Sequence, residues 1–403
     1  MGYSSLEFPF WRTLIFSLAQ AMFNDLHYSC QGESHILANK ACQDASFSAT
    51  CGSLSIAAVS DGHGGARYFR SDIGSRLAIE AANDCVESFV RDTDLNLFKG
   101  KPFVQRNTIM SEVKGKAVER YTPTDLAMRQ LFASIVSSWH AKIERHAYET
   151  PLSDKEQERV PLKYQKEFFN GTGIAETYGC TLMCCVCTQD YWLAFQIGDG
   201  KCMTFDIDGK WSEPVPWDER CLHNCTTSLC DSSAIAEFRY CYCGDGSFPL
   251  AVFLGSDGMD NSFAKTDVLA DFYIQTLKLI AAKGCNDALN IIKEALPKLS
   301  KAGSKDDMSI ACIYNEAELP QSVTHLMYWQ KKRLENDILY VNHKILDLQE
   351  SKGEHIVKEL SETFTQKRTL AEKWNRLAKE LFAGSFTPYH DEIGFGDDAA
   401  NES

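Results

Sequence analysis

Long apolar runs are missing from this chain. No stretch approaches the ~20 consecutive apolar residues of a membrane-spanning helix, so no membrane association is expected. The opening stretch, MGYSSLEFPFWRTLIFSLAQ, is mixed; Arg12 interrupts its most apolar part, and it does not read as a secretory leader. Leu6 stands where a myristoylation signal on Gly2 would need Ser or Thr. A positive charge excess is also missing. Lys and Arg total 41 against 55 Asp and Glu, a net charge of −14, which argues against a nucleic-acid binder with a basic footprint. Cysteine is too sparse for a disulfide scaffold: 16 in 403 residues, against the ~8–10% that marks one. Paired C-x-x-C knuckles are absent as well. The densest cluster, Cys180, Cys184, Cys185 and Cys187 within TLMCCVC, therefore reads as a buried strand rather than a zinc site. With the thiols acting as small hydrophobes, a reducing cytoplasmic setting is expected.

What is present suits a soluble globular protein of about two or three domains, with 44% apolar and 24% charged residues. From about residue 50 to 316, short β-like runs alternate with helical stretches. Strands are expected at 54–60, 180–188, 191–197, 201–206, 250–255 and 307–314, and helices near 67–95, 127–149, 266–282 and 286–297. The charged stretch 96–175 is expected to hold helices and a mobile loop around Ser153 to Glu158.

The pattern changes at 322–383. Leu334, Ile338, Val341, Ile345 and Leu348 step by four and three, as do Leu370, Trp374, Leu377 and Leu381. Ser351-Lys352-Gly353-Glu354 interrupts the seam, and Gly353 suits a helix C-terminus, so an antiparallel helical hairpin is expected. Such a hairpin can pack on its own core, or serve a homodimer or a protein partner. Residues 384–403 carry Asp391, Glu392, Asp397, Asp398 and Glu402 without Lys or Arg, and read as a flexible acidic tail.

The chemistry lies in where acids fall relative to the strands. Asp61 follows LSIAAVS directly, Asp199 follows YWLAFQI after one Gly, and Asp257 follows LAVFLG after one Ser. Asp306 precedes DMSIACIY. Asp is common in turns, so each alone fits an ordinary strand end. If they met at one edge, their repulsion would call for hard divalent cations, which prefer carboxylates, carbonyls and water.

Cys42-Gln43-Asp44-Ala45, Ser60-Asp61-Gly62-His63-Gly64-Gly65, Gly198-Asp199-Gly200, Gly255-Ser256-Asp257-Gly258 and Lys305-Asp306-Asp307-Met308-Ser309 occur in this order. Together they resemble the metal-dependent protein phosphatases of type 2C. Gly32-Glu33-Ser34-His35 ahead of them is most similar to the bacterial-type branch. The resemblance spans roughly residues 25–316. It implies an α+β fold: a two-sheet antiparallel β-sandwich flanked by helices on both faces, with the C-terminal hairpin outside it. It also implies two Mn²⁺ or Mg²⁺ ions at one end of the sandwich. Asp61 would bridge them, the carbonyl of Gly62 would bind one, and Asp257 and Asp306 the other. Asp44 would hold bound water, and Asp199 with Asp257 would form a weaker third-ion site.

The implied activity is hydrolysis of phosphoserine and phosphothreonine on proteins, the ions activating a bridging water for in-line attack on phosphorus. His63 would protonate the leaving oxygen, although by itself it would read as a structural histidine. The family's phosphate-clamping Arg is replaced by Asn39, with Lys40 beside it; Lys supplies charge but no bidentate fork. Asn261 stands where the family usually has a further Asp. A P-loop is absent, and Lys301-Ala302-Gly303-Ser304-Lys305 reads as the turn into the last strand. The rival expectation is a catalytically weak phosphatase-fold module that docks partners through the hairpin. A hydrolase of small phosphate esters would use the same site.

Overall fold

The computed structural model describes residues 22–107, 121–160, 162, 165–166, 173–221, 225–351, 355–382 and 387–389. The strands are β1 (Phe23–Cys30), β2 (Ala45–Cys51), β3 (Leu54–Ser60), β4 (Val104–Asn107), β5 (Leu182–Cys187), β6 (Trp192–Ile197), β7 (Lys201–Phe205), β8 (Trp211–Ser212), β9 (Arg239–Cys243), β10 (Ala251–Gly255) and β11 (Met308–Asn315). The longer helices are α1 (Ser71–Asp92), α2 (Pro123–Glu149), α3 (Thr266–Lys283), α4 (Cys285–Ala302), α5 (Leu319–Glu350) and α6 (Ile356–Leu381). One sheet has the order β1-β11-β10-β7-β8 and the other β2-β3-β5-β6-β9-β4, every pairing antiparallel. The expected α+β sandwich is the fold observed.

Burial on both faces explains the unbroken apolar strands. In β3, Ile56 and Ala58 join the core formed with α1 and α2, while Ala57 and Val59 point into the space between the sheets. β5 alternates the same way, with Leu182, Cys184 and Val186 toward the helices and Met183, Cys185 and Cys187 between the sheets. Cys202, Cys241 and Cys243 share that inter-sheet layer, so the thiols fill it as small apolar groups. All sixteen cysteines are free. On the other sheet's outer face, Tyr273 of α3 stacks on Phe253 of β10 at 4.3 Å between ring centroids.

Several expectations need amending. β1, β2, β4, β8 and β9 were not anticipated from the apolar pattern. The segment Ser153 to Glu158, expected as a mobile loop, forms a short helix, Asp154–Glu158, with Ser153 as its N-cap. Ser153 and Glu156 cap each other reciprocally, and Arg70 grips the Glu156 carboxylate at 2.8 Å and 3.1 Å. Arg70 also donates to the Thr150 carbonyl and to the Tyr178 hydroxyl, which ties the segment down.

The chain divides into two compact units, with the second comprising 206–210 and the residues from Glu318 onward. Within it, α5 and α6 form the expected antiparallel hairpin. Leu334, Ile338, Val341 and Ile345 are buried with Trp374, Leu377 and Ala378. The Trp374 indole donates to Glu335 at 3.0 Å while Lys344 pairs with Glu359 at 3.1 Å, which fixes the antiparallel sense. Gly353 lies outside the described residues, as do the opening stretch and all of the acidic tail except 387–389. No helix among the described residues is long and apolar enough to cross a membrane.

Candidate active site

The ends of β3, β6 and β10 and the starts of β2 and β11 bring their aspartates into one group. Asp61 follows β3 and is held by its backbone: its N–H donates to the Thr181 hydroxyl at 3.0 Å and its carbonyl accepts from the Thr181 N–H at 2.8 Å. The next N–H, of Gly62, donates to the Gln43 carbonyl at 3.1 Å. A Cβ on Gly62 would lie 2.7 Å from the carbonyl oxygens of both Gln43 and Ser71. Those are backbone atoms, so only glycine fits this close approach. Gly258, after Asp257, is equally constrained, because a Cβ there would sit 2.0 Å from the Asp307 carbonyl oxygen. That packing brings the turn after β10 against the start of β11, and Asp257 beside Asp306.

The electrostatics register the convergence. Burial, followed by the charges of Asp307 and Asp257, pushes the Asp44 carboxyl well above the usual range. Burial, then Asp44 and Asp257, does the same to Asp61. Asp257 is pushed up to about 6, mainly by burial, with Asp199 and Asp306 adding to the rise. Asp61 and Asp257 lie side by side and each acts on the other, so two buried carboxyls of like charge face one another. Asp199 is raised by burial and partly relieved by the Thr226 hydroxyl.

The donors here suit a hard divalent cation. Asp44 is buried, and its Oδ2 has no hydrogen-bond partner. The buried Gln43 Oε1 is also unpartnered. An orphaned carboxylate oxygen beside buried carboxyls of like charge is what such an ion would satisfy. As the side chains stand, no three His, Cys, Asp or Glu among the described residues close a ligand shell. The acids converge as a loose group around the Asp61–Asp257 pair.

His63 turns its ring toward the neighbouring loops. Its Nε2 is 2.7 Å from the Ser228 hydroxyl, and its ring meets Tyr68 edge-on. Burial, then the positive charge of Arg67, pushes its pKa down to about 4, so it is neutral near pH 7. Lys40 is exposed; its N–H donates to the His35 carbonyl and its carbonyl accepts from the Gln31 side chain. Asn261 donates to Asp257 Oδ2 at 3.2 Å, while Asp260 pairs with Lys201 at 3.2 Å.

Asp307 was not singled out by the sequence. Its buried carboxylate accepts from the N–H groups of Gly32 and Gln43, each at 2.6 Å, and lies 2.8 Å from His35 Nδ1. It thereby clamps the loop that carries Lys40, Gln43 and Asp44. The only signal in the sequence was its place beside Asp306.

The family model described as protein phosphatase 2C matches residues 31–294. The chain belongs to the protein phosphatase 2C family. Asp306 falls beyond the matched stretch. Among solved structures, it is similar to the catalytic domain of the serine/threonine protein phosphatase PstP in complex with two manganese ions, at 12% identity and a TM-score of 0.42. That match covers 72% of this chain and 97% of the other. Stp1 from Staphylococcus aureus is 12% identical, with a TM-score of 0.42, over 74% of this chain and 97% of its own. A C. elegans sex determining protein is 16% identical, with a TM-score of 0.41, over 75% and 67%. No curated protein sequence matches the chain.

Proposed function

We propose that this protein hydrolyses phosphoserine and phosphothreonine on proteins, using two Mn²⁺ or Mg²⁺ ions held by the aspartate group. The observation that carries this reading is the pairing of Asp61 with Asp257 at the centre of converging acids, next to the unpartnered Asp44 oxygen. Asp61 and the Gly62 carbonyl would serve one ion, and Asp61, Asp257 and Asp306 the other. Asp44 would hold ordered water, and Asp199 with Asp257 would offer a weaker third position. When bound, such ions supply Lewis acidity that neutralises phosphoryl oxygens and lowers the pKa of water.

The chain's own part is positioning. Gly62 lets the backbone approach where a side chain would obstruct it, and Thr181 fixes the Asp61 backbone. Asp307 holds the loop bearing Asp44. His63 is the candidate proton donor for the leaving oxygen. It is neutral at rest, so the arriving phosphate dianion must raise its pKa before it can carry that proton. Lys40 is a candidate contact for the substrate phosphate, and being exposed it can reach outward from its loop.

The test is phosphate release from phosphothreonine peptides and from small phosphate esters in parallel, with Mn²⁺ present. Preference for peptides is the expected result. Turnover of the small esters alone would move the assignment to small-molecule hydrolysis, and no turnover of either would favour a docking module.

A further inference from the structure

The loop Gly64–Tyr68 brings a cation and an aromatic ring beside His63. It turns tightly, the Tyr68 N–H donating to the Gly65 carbonyl at 2.9 Å. The Tyr68 and His63 rings meet edge-on at 4.7 Å between centroids, and the Arg67 guanidinium carbon lies 4.6 Å from the Tyr68 centroid. Gly179 backs this ladder: a Cβ there would come within 2.8 Å of Tyr68 and 2.9 Å of His63. The partners of Arg67 include the Tyr68 hydroxyl and the Glu176 carboxylate at 3.4 Å. Both members of the Arg67–Glu176 pair are 37% exposed, so water can replace either at little cost.

We propose that Arg67, standing on the Tyr68 ring, is a specificity-determining residue that receives an Asp or Glu side chain of the substrate two or three residues from its phosphorylated Ser or Thr. This rests on the phosphatase reading above. The ladder sets the spacing. Two steps of 4.7 Å and 4.6 Å separate the His63 ring from the guanidinium, a reach of at most about three residues of extended chain. The chemistry sets the class. A planar guanidinium with a fork of donors matches a carboxylate, and the ring beneath holds it in place. Arg67 thus offers an acidic substrate residue a favourable contact beside His63. Glu176 then acts as a weak competitor for the same guanidinium.

The test compares phosphothreonine peptides that differ only by Glu or Gln placed two and three residues from the phosphothreonine, on either side, with the Mn²⁺-loaded full chain. In the wild type, KM is expected to be roughly two- to fivefold lower for the Glu peptide, the range of a half-exposed ion pair, with kcat unaffected by the exchange. Raising the salt should shrink the difference. Arg67→Gln is expected to remove the preference, Arg67→Lys to retain part of it, and Glu176→Gln to enlarge it. Calorimetric Mn²⁺ binding by each variant, matching the wild type, would exclude a general collapse of the site. Equal KM values in the wild type, or a preference that survives Arg67→Gln, would overturn this subsite alone. Hydrolysis of neither peptide would overturn the phosphatase reading and the subsite with it.

Discussion

Replacing Asp307 by Ala should both destabilise the protein and slow it. The carboxylate is buried and accepts two short backbone hydrogen bonds, from Gly32 and Gln43, and a third from the His35 ring. Truncation leaves two backbone N–H groups unpaired in a site that water reaches poorly. At ~1–3 kcal/mol each, the loss is about 2–6 kcal/mol. Asp307→Asn keeps one acceptor oxygen and the shape, so about 1–2 kcal/mol is expected for the lost charge and the mismatched amide. A pH signature separates this clamp from mere packing. The hydrogen bond with Asp307 raises the pKa of His35 above its ordinary 6.5. A raised folded-state pKa gives stability that is fully present below pH 6.5 and lost as pH rises through the folded value. The wild type should therefore lose this contribution between mildly acidic and mildly alkaline pH, whereas Asp307→Asn should lose much less. Calorimetric unfolding of both proteins across pH 5.5 to 8.5 measures it. Equal stability of wild type and Asp307→Ala, or identical pH dependence of wild type and Asp307→Asn, would refute the clamp.

The remaining predictions concern the site and the hairpin. Asp257→Asn should cut Mn²⁺-dependent turnover by at least ~10²-fold, the scale of losing one charge-stabilising group, while the protein stays folded; near-wild-type turnover would remove the ligand assignment. Gly62→Ala should be more damaging than its size suggests, costing ~1–3 kcal/mol in thermal unfolding, because its Cβ meets two backbone oxygens that cannot yield. Deleting 320–403 should leave turnover per active site unchanged but alter the size measured by light scattering or the choice of partner. A truncated protein identical in both respects would reduce the hairpin to packing.

The strand ends were legible because each joined an unbroken apolar run to an Asp with Gly or Ser beside it. The strands the apolar pattern missed have physical reasons. β2, Ala45–Cys51, is half-exposed along much of its length and rich in small polar residues, so its sequence carries little contrast. β9 begins with Arg239, a residue that argues against burial. That charge is tolerated because it donates to the Pro216 and Gly198 carbonyls and lies 3.8 Å from Asp218. The order of the Ser153–Glu158 segment depends on Arg70, more than eighty residues away, and no local pattern could reveal it. The same holds for Asp307 and His35. The motifs' resemblance to the family implied that the carboxylates converge, which spacing alone left open, but the direction of the His63 ring, toward Ser228, required the fold.

The central claim is that the aspartate group works through divalent metal. The most direct test follows phosphate release from a phosphothreonine peptide by the full chain with Mn²⁺, then after excess EDTA, then after Mn²⁺ is restored. The account predicts turnover that starts with Mn²⁺, stops with the chelator and returns with the ion. Turnover that continues unchanged in EDTA, or none at all although calorimetry shows Mn²⁺ bound, would contradict it.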